Sequence, residues 1–333
     1  MTSKTSITTA NVNSDIADLL QELAKHEMNV NQNRFKYQMY RKAAKSVTDY
    51  PKRIESTAEA VKLPGVGPKT AAKIMDYITN GSIRQLDRVR QSNESNTIND
   101  LLRVSGIGPK VAAKLMADGI NTIDQLKSIA HTLTDHQKIG LKYLEEFEQQ
   151  IPRNEIMKIE TILINKMNEF NKNILLTICG SFRRESQESG DIDVLMTHQR
   201  LTSEQLKSRQ QTYLKDYVRC LEKCGLITDR ISLGDTKFMG VCRLSTDRPH
   251  RRIDLRFLPY DQYFCGVLYF TGNDFFNQQM RVKANEMGFT LNEYSLRKLG
   301  LTSVPGEPIP IISEKEIFEY IDFPFKEPKD RNF

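Results

Sequence analysis

The sequence lacks the features that mark membrane, secreted and disulfide-bonded proteins. No apolar run approaches the ~20 residues that a membrane-spanning helix needs, and residues 1–15 contain no signal-peptide hydrophobic core and no arginine. The five cysteines are odd in number and form no Cys-x-x-Cys pair. We therefore expect buried free thiols in a reducing compartment, no membrane partner, and neither a zinc site nor a disulfide framework.

Positive charge is concentrated at the start of the chain. The first 90 residues hold 15 Lys and Arg against nine Asp and Glu, and the remainder balances, so the whole net charge of +6 lies in this segment. A compact basic unit on a neutral body indicates a polyanion partner, although charge alone fits a solvated lysine-rich surface equally well. The length of 333 residues suits two or three compact units.

A short motif occurs twice in the first half of the chain. The sequence LPGVGPKTAAKI, residues 63–74, matches VSGIGPKVAAKL, residues 104–115, almost letter for letter. Pro68 and Pro109 suit the first turn of a helix, and Gly81 suits the C-cap of the first copy. Four motif glycines permit a close backbone approach, namely Gly65, Gly67, Gly106 and Gly108.

The two loops have the chemistry of phosphate contact without sequence readout. Backbone N–H groups at a helix N-terminus point at an anion, and Lys69 and Lys110 add positive charge just inside each helix. Outward loop carbonyls could also hold Na⁺ or K⁺, and we expect this role of Leu63, Val66, Leu102, Val104 and Ile107. One Gly-x-Gly could be a packing turn, but two matched copies favour nucleic-acid binding. The pair resembles the helix-hairpin-helix motif of DNA-repair proteins.

The rest of the pattern predicts an α+β protein of several domains. Helical periodicity is clearest in three early segments, residues 16–27, 33–45 and 58–62. The polar stretch 91–97 is expected to be a linker, and a second helical unit closes near Gln150. Strands then alternate with helices to about Pro259, and residues 260–333 are mixed, with a proline-rich stretch at 304–310.

Two aspartates lie on one face of a predicted strand. Side chains alternate along an extended segment, so Asp191 and Asp193 point one way while Ile192, Val194 and Met196 point the other. The dipeptide pattern by itself favours the start of a solvated strand. However, adjacent like charges repel unless a cation lies between them, and a glycine-serine turn with two arginines lies just upstream. Together these features favour a functional site.

A third acid follows on a later strand. In residues 251–257, Arg252, Asp254 and Arg256 share one face, and the apolar residues between them share the other. By itself Asp254 fits an ion-paired surface residue. Placed beside Asp191 and Asp193, it would complete a cage of carboxylate oxygens for Mg²⁺.

These motifs carry a family resemblance. Gly180–Ser181, Asp191-x-Asp193 and the distant Asp254 resemble the nucleotidyltransferase superfamily. The longer segments GSFRRESQESGDIDVLMTH, KFMGVCRL, RRIDLRF and YFTGNDFFN, with the two hairpins, resemble the family X DNA polymerases of the beta type across essentially the whole chain. The resemblance implies four parts: a helical lyase domain with the first hairpin (1–90), a helical DNA-binding subdomain with the second (91–151), a catalytic palm with a nucleotidyltransferase sheet (152–260), and a mixed α/β nucleotide-selection subdomain (261–333).

The resemblance also implies two-metal chemistry. Two Mg²⁺ ions about 3.5–4 Å apart would clamp the in-line attack of a primer 3′-hydroxyl on the α-phosphate of a dNTP. Asp191 and Asp193 would bridge both ions. Asp254 would bind the catalytic ion and help to take the hydroxyl proton.

Nucleotide and DNA contacts are implied in the same way. The residues implied to bind the dNTP are Gly180, Ser181, Arg184, Gly190, Tyr269, Phe270, Gly272, Asp274 and Asn277. Among them Arg184 would offer a planar fork of donors to the phosphates, and the two aromatics would crowd a ribose 2′-hydroxyl. Arg256 and Arg281 would contact DNA, with Arg281 paired to Glu293 by a closing motion of the last domain.

A second activity is implied for the basic unit. Members of the family remove a 5′-deoxyribose phosphate by β-elimination through a lysine Schiff base, and the matching nucleophile is Lys73, assisted by Tyr40. Neighbouring Lys36 and Lys69 would favour the neutral amine and hold the 5′-phosphate. A single lysine on a helix is ordinarily a solvated side chain, so this assignment rests on the register of the motif.

Five residues depart from the family pattern, namely Phe35, Gln85, Gln150, Asn273 and Gln278. They stand where histidine, lysine, arginine, serine and lysine respectively are common. We expect weaker phosphate capture near Gln85 and Gln150 and a weaker template contact at Gln278.

The resemblance thus implies a monomeric, template-directed repair polymerase with lyase activity. It would act on gapped or nicked DNA in the nucleus, together with other base excision repair proteins. A template-independent nucleotidyltransferase is one alternative, opposed by the paired hairpins, by Asn277 and Arg281, and by the lack of room for a further N-terminal interaction domain. A non-catalytic DNA-binding scaffold is the other, opposed by the three intact aspartates.

Overall fold

The structure, a computed structural model, describes residues 11–207 and 212–332. It divides into two compact units, Met1–Gln137 and Lys138–Phe333. Residues 1–10 of the predicted lyase domain lie outside the described part. Within that part, no helix combines the length and the apolar character that crossing a membrane requires.

The first unit is built from helices. They are α1 (Ser14–Asn29), α2 (Arg34–Asp49), α3 (Thr57–Ala60), α4 (Pro68–Asn80), α5 (Arg84–Gln91), α6 (Asn93–Leu102), α7 (Pro109–Ala117) and α8 (Ile123–Ser128). A short 3-10 helix follows at Ala130–Thr132. Helices α1 and α2 pack together because apolar residues recur at helical spacing, and Leu20, Leu23 and Val47 are fully buried between them.

The first glycine of each hairpin is fixed by both conformation and space. Gly65 and Gly106 have φ of +82° and +91°, a region that favours glycine. An added Cβ would lie 2.8 Å from Lys42 Cγ at the first position and 2.9 Å from His136 Cγ at the second. Neither loop could therefore accept alanine at this position without strain.

The second glycine of each hairpin starts a helix. Gly67 and Gly108 are extended N-caps with ψ of 173° and no side-chain cap, and Pro68 and Pro109 follow as the first helical residues. The first backbone N–H groups of a helix have no intrahelical acceptor, although in the first copy Thr70 N already donates to Gly67 O (3.0 Å). Gly81 ends α4 in a left-handed conformation, as its C-cap prediction required.

The predicted linker at residues 91–97 is wrong. Helices α5 and α6 are separated only by Ser92, whose side chain accepts a hydrogen bond from Ser95 N (3.3 Å). The polar run is an N-cap and the exposed face of a helix that buries Ser95, Ile98 and Leu101. Serine and asparagine favour caps as much as loops, and composition did not separate the two.

The second unit combines helices with three sheets. Its helices are α9 (Asp135–Lys142, which starts in the first unit), α10 (Leu144–Phe147), α11 (Arg153–Phe170), α12 (Gly180–Arg183), α13 (Ser203–Lys207), α14 (Tyr213–Lys223), α15 (Tyr260–Thr271), α16 (Asp274–Glu286) and α17 (Glu314–Tyr320). Its strands are β1 (Ile151–Pro152), β2 (Ile174–Ile178), β3 (Glu188–Ser189), β4 (Ile192–His198), β5 (Ile227–Leu233), β6 (Lys237–Cys242), β7 (Arg251–Phe257), β8 (Phe289–Leu291), β9 (Leu296–Leu299) and β10 (Pro305–Pro308). A 3-10 helix lies at Pro328–Arg331.

A five-stranded sheet carries the three aspartates. Its order is β2-β4-β7-β6-β5, with β4 and β7 parallel and the other pairs antiparallel. Helices α11 and α14 contribute their apolar faces to one core with this sheet. In β7, Ile253, Leu255 and Phe257 are buried while the charged residues between them are partly exposed, so the predicted alternation is confirmed. The α+β fold class is likewise confirmed.

The proline-rich stretch contains a strand that the sequence analysis did not predict. Strand β10 pairs with β9 at the edge of a three-stranded sheet of order β10-β9-β8. All four of its residues are exposed. Proline is tolerated there because an edge strand need not donate on its outer side.

Candidate active site

Two of the predicted catalytic acids lie side by side on neighbouring strands. The parallel pairing of β4 and β7 places Asp193 opposite Asp254. Asp191 precedes β4 directly and lies on the same face by alternation. The sheet register therefore brings together three acids from distant parts of the sequence.

Burial and neighbouring negative charge oppose the ionisation of Asp193 and Asp254. Burial, and then the charges of Asp191 and Asp254, raise the pKa of Asp193 from 3.8 to about 7. Burial also raises the pKa of Asp254, which Arg252 and Lys237 only partly offset. A positive charge among the carboxylates would favour their ionised forms at neutral pH.

Arg252 supplies part of that positive charge. Its Nη2 lies 3.7 Å from Asp191 Oδ2 and 3.9 Å from Asp254 Oδ2. The sequence placed Arg252 on the same face as Asp254 but assigned it no role. The available signal was its two-residue spacing from the acid.

The donor set fits a divalent metal ion. Asp254 Oδ1 is buried and has no hydrogen-bond partner, which leaves an oxygen for a cation. Within the described residues, no three His, Cys, Asp or Glu side chains are grouped closely enough to hold a metal as they stand. The Arg252 guanidinium lies within 4 Å of two of the three acids. Hard carboxylate oxygens of this kind suit Mg²⁺.

A short helix adjoins the acids where a simple turn was predicted. Helix α12 starts at Gly180, which has φ of +60°. A Cβ there would lie 3.1 Å from Asp193 Oδ2, so glycine allows the chain to pass directly against the acid. Ser181 donates a hydrogen bond to Ser189 Oγ (2.7 Å), and Gly190 is exposed just before Asp191.

Arg184 lies beside two other residues predicted to bind the nucleotide. Its Nη1 donates to Thr271 O (2.6 Å) and its Nε to Asn332 Oδ1 (2.8 Å). A Cβ built on Gly272 would lie 3.6 Å from Arg184 Nη1 and 3.9 Å from Asn277 Nδ2. Arg184, Gly272 and Asn277 therefore lie together, with part of the guanidinium already hydrogen-bonded within the protein.

Two neighbouring aromatic side chains lie beside Asn277, and an arginine lies over each of their rings. The rings of Tyr269 and Phe270 are 5.1 Å apart, and Asn277 Nδ2 donates to Tyr269 O (2.7 Å). Arg256 lies over Phe270 at 4.8 Å and Arg281 lies over Tyr269 at 5.3 Å. A small cavity is lined by residues of β4 and β7 and by this cluster, including Asp193, Asp254, Arg256 and Phe270.

The remaining predicted contacts lie nearby on separate elements. Asp274 is the first residue of α16, and Glu293 lies between β8 and β9. Among the ion pairs of the described residues, none joins Arg281 to Glu293. Their pairing stays a prediction for a closed state.

The predicted lyase residues meet in the first unit. Lys73 Nζ donates a hydrogen bond to Tyr40 Oη (2.9 Å) and lies 5.4 Å from the centre of its ring. Tyr40 is buried, whereas Lys73 is half-buried and Lys69 is exposed. Lys36 Nζ lies 3.5 Å from Glu27 Oε1, a buried acid to which the sequence analysis gave no role. The Glu27 carboxylate therefore partly neutralises the positive charge of Lys36.

The two hairpin loops match in their hydrogen bonds as well. Leu63 O accepts from Val66 N and Val104 O accepts from Ile107 N, both at 3.0 Å. Lys110 is exposed in the first turn of α7. Leu102 ends α6 just before the second loop.

Comparison with known proteins places four family matches in order along the chain. Residues 11–83 match a helix-hairpin-helix domain, and residues 99–148 match the fingers domain of DNA polymerase lambda. Residues 150–260 match the DNA polymerase beta palm, and residues 266–332 match the DNA polymerase beta thumb.

Two relatives resemble the chain over most of its length. It is 33% identical to DNA polymerase lambda of Rattus norvegicus over 97% of this chain, and 28% identical to DNA polymerase lambda of Arabidopsis thaliana over 88%. The chain spans 57% of the length of each of these relatives. With helix-hairpin-helix, fingers, palm and thumb matches in order along the chain, the chain belongs to the family X DNA polymerases.

Proposed function

We propose that the chain is a template-directed DNA polymerase that fills short gaps during base excision repair and also removes 5′-deoxyribose phosphates. One observation carries the polymerase proposal. Asp193 and Asp254 face each other in register, beside Asp191 and the glycine turn at Gly180. Family membership supports a DNA substrate, a dNTP and a divalent metal ion.

In this proposal Asp191, Asp193 and Asp254 hold two Mg²⁺ ions. When bound, the ions supply positive charge to the reacting phosphate and lower the cost of ionising the primer 3′-hydroxyl. Asp254, whose Oδ1 has no protein partner, is suited to accept the hydroxyl proton. Because the protein then needs to do little covalent chemistry, its main contribution is to position and neutralise the substrates.

The nucleotide would lie between the Gly180 turn and the Tyr269 cluster. The backbone near Gly180, Ser181 and Gly190, together with Arg184, would receive the phosphates. Tyr269, Phe270 and Gly272 would lie against the sugar, with Asp274 and Asn277 against the base. Arg256 would contact the DNA. Arg281 would contact the templating strand and pair with Glu293 as the last domain closes.

The lyase proposal rests on the hydrogen bond between Lys73 Nζ and Tyr40 Oη. A lysine amine that attacks the sugar aldehyde must be neutral, and a hydroxyl partner can accept its hydrogen bond and relay a proton. Lys36 and Lys69 would hold the 5′-phosphate. Phe35, which is 73% exposed, and Gln85 supply no positive charge there, so we expect weaker phosphate capture.

Several finer assignments belong to the same proposal. The palm and thumb matches support a beta-type catalytic body, with the four domain boundaries given above. The shared loop geometry supports Na⁺ or K⁺ at both hairpins, beside DNA phosphates held by the Gly-x-Gly backbones, Lys69 and Lys110. We further propose that the protein works as a monomer in the nucleus, with other repair proteins as partners.

The test is nucleotide insertion into a one-nucleotide gap with each of the four template bases. The proposal predicts Mg²⁺-dependent insertion that follows the template and greater activity when the gap carries a 5′-phosphate. Insertion that ignores the template would indicate a template-independent nucleotidyltransferase. DNA binding without insertion would indicate a scaffold. Borohydride trapping of an abasic 5′-end by the wild type, and its loss in Lys73→Ala, tests the lyase.

A further inference from the structure

A buried ion pair lies at the start of the strand that carries Asp254. Arg251 donates to both carboxylate oxygens of Glu155, at 2.8 and 3.1 Å, and both side chains are only 4% exposed. Burying two charges costs as much free energy as their attraction returns, and an apolar pair of equal size is often as stable. Such a pair is therefore poorly explained by stability alone.

The pair connects the catalytic strand to α11. Arg251 is the first residue of β7, three positions before Asp254, and Glu155 lies in the first turn of α11. Arg251 Nη1 also donates to Gln149 O (3.0 Å). The first residue of β7 is therefore hydrogen-bonded to Glu155 and to Gln149, both outside the sheet. The pairing of β7 with β4, which places Asp254 beside Asp193, begins near this end of β7.

The first turn of α11 also contacts α12, the segment proposed to receive the nucleotide phosphates. Arg153 Nη1 donates to Phe182 O (2.6 Å), and its guanidinium lies 4.3 Å from the centre of the Phe182 ring. The backbone N–H of Arg153 donates to Gln187 O (2.8 Å). Phe182 belongs to α12, the segment that starts at Gly180. Arg153 therefore supports the turn proposed to receive the triphosphate.

We propose that the first turn of α11 is a shared brace for the two halves of the polymerase site. Glu155, through Arg251, is a positioning residue for Asp254 and the metal ions. Arg153 is a positioning residue for the Gly180 turn and the nucleotide phosphates. This inference rests on the proposed polymerase function, and none of the three residues touches the reacting atoms.

The brace makes the two halves separable by mutation. Loss of the Arg251–Glu155 pair should displace Asp254 and weaken metal binding, with little effect on the phosphates. Loss of Arg153 should displace the Gly180 turn and weaken nucleotide binding, with little effect on the metal. A merely structural role would lower stability and both functions together.

The experiment compares the double variant Arg251→Met/Glu155→Met with the single variant Arg153→Met. The double variant removes both charges, so no unpaired charge is left buried and folding should be retained. The control is Arg230→Met/Glu222→Met, which removes an exposed ion pair in the same unit. Each protein is measured for Tm, for gap-filling kcat, dNTP KM and Mg²⁺ dependence, and for Mn²⁺ affinity by electron paramagnetic resonance without DNA.

For the double variant we expect a Tm close to wild type, Mn²⁺ affinity and Mg²⁺ half-saturation weakened by about 10-fold, and a lower kcat, with dNTP KM within about 2-fold. For Arg153→Met we expect dNTP KM raised by about 10-fold with Mn²⁺ affinity unchanged, and partial rescue in Arg153→Lys. The control pair should leave all values at wild-type level.

Unchanged Mn²⁺ affinity in the folded double variant, or the same profile for both variants, would overturn the brace. Wild-type gap filling tests the proposed function separately. If the wild type were inactive but the double variant still bound Mn²⁺ more weakly, the polymerase proposal would fail while the metal half of the brace would stand.

Discussion

The carboxylate site and the lysine site are built in different ways. Asp193 and Asp254 meet because two parallel strands pair in one register, and the site they form is partly buried and crowded with like charge. Lys73 and Tyr40 meet because α4 and α2 belong to one helical core, and a single hydrogen bond joins them. The first site depends on long-range strand register and on counter-charge. The second depends on packing between two helices of the first unit.

The difference predicts that each site can be removed without the other. The largest effect should come from Asp254→Asn, which keeps the size of the side chain but removes its charge. We expect gap filling to fall by about 10³-fold or more, because a metal ligand and the proton acceptor are lost together. Borohydride trapping of the abasic 5′-end by this full-length variant should stay at the wild-type level. Loss of trapping in this variant would show that the two sites are not independent.

Lys73→Ala should remove lyase activity and leave gap filling intact. We expect Schiff-base trapping to disappear and 5′-deoxyribose phosphate removal to slow by about 10²-fold or more, since the covalent route is closed. Gap filling on a 5′-phosphorylated gap should change by less than about 3-fold. The matched control is Lys62→Ala, an exposed lysine in the same unit. Trapping that persists in Lys73→Ala would assign the nucleophile to another residue.

A smaller effect separates the two glycines of one hairpin. Gly65→Ala places a Cβ 2.8 Å from Lys42 Cγ in a left-handed backbone and should lower the free energy of unfolding by about 2 kcal/mol. Gly67→Ala has an extended backbone and no neighbouring atom within 4 Å, so stability should be nearly unchanged. Urea unfolding of the two variants measures the difference. Equal losses of stability in the two variants would show that the positive φ and the close contact of Gly65 do not distinguish the two positions.

The smallest effect concerns pH. The pKa of Asp193 is raised in the folded state from 3.8 to about 7, so the folded protein retains this proton more strongly than the unfolded chain. Its contribution to metal-free stability is fully present below about pH 4 and is lost as pH rises through about 7. Because Mg²⁺ requires the ionised acid, the Mg²⁺-induced rise in Tm should be larger at pH 8 than at pH 6. Thermal unfolding of wild type and Asp193→Asn checks this, and an equal pH response in the variant would exclude Asp193 as its source.

Local rules predicted much of the fold. The proline and glycine positions gave the starts of α4 and α7 and the end of α4, and alternation in residues 251–257 gave the two faces of β7. Polar composition misassigned residues 91–97, because serine caps helices as readily as it forms loops. Proline made β10 look like coil, since its edge position is a property of the whole sheet.

The side chains around the acids could not be predicted in the same way. The candidate site residues were assigned by their resemblance to a family motif. Arg252 between two acids, Glu155 beside Arg251 and Arg153 on Phe182 depend instead on contacts between distant segments. No periodicity encodes which arginine reaches which carboxylate. Arg281 was assigned to the template, and in this structure it lies over Tyr269.

Whether the paired strands form a metal site can be measured by single-turnover insertion into a one-nucleotide gap, titrated with Mg²⁺ in wild type, Asp193→Asn and Asp254→Asn. We expect the wild type to insert the templated nucleotide and to saturate with Mg²⁺, and we expect both variants to lose insertion across the titration. Templated insertion by Asp254→Asn at the wild-type rate would contradict the claim that these paired strands form the metal site.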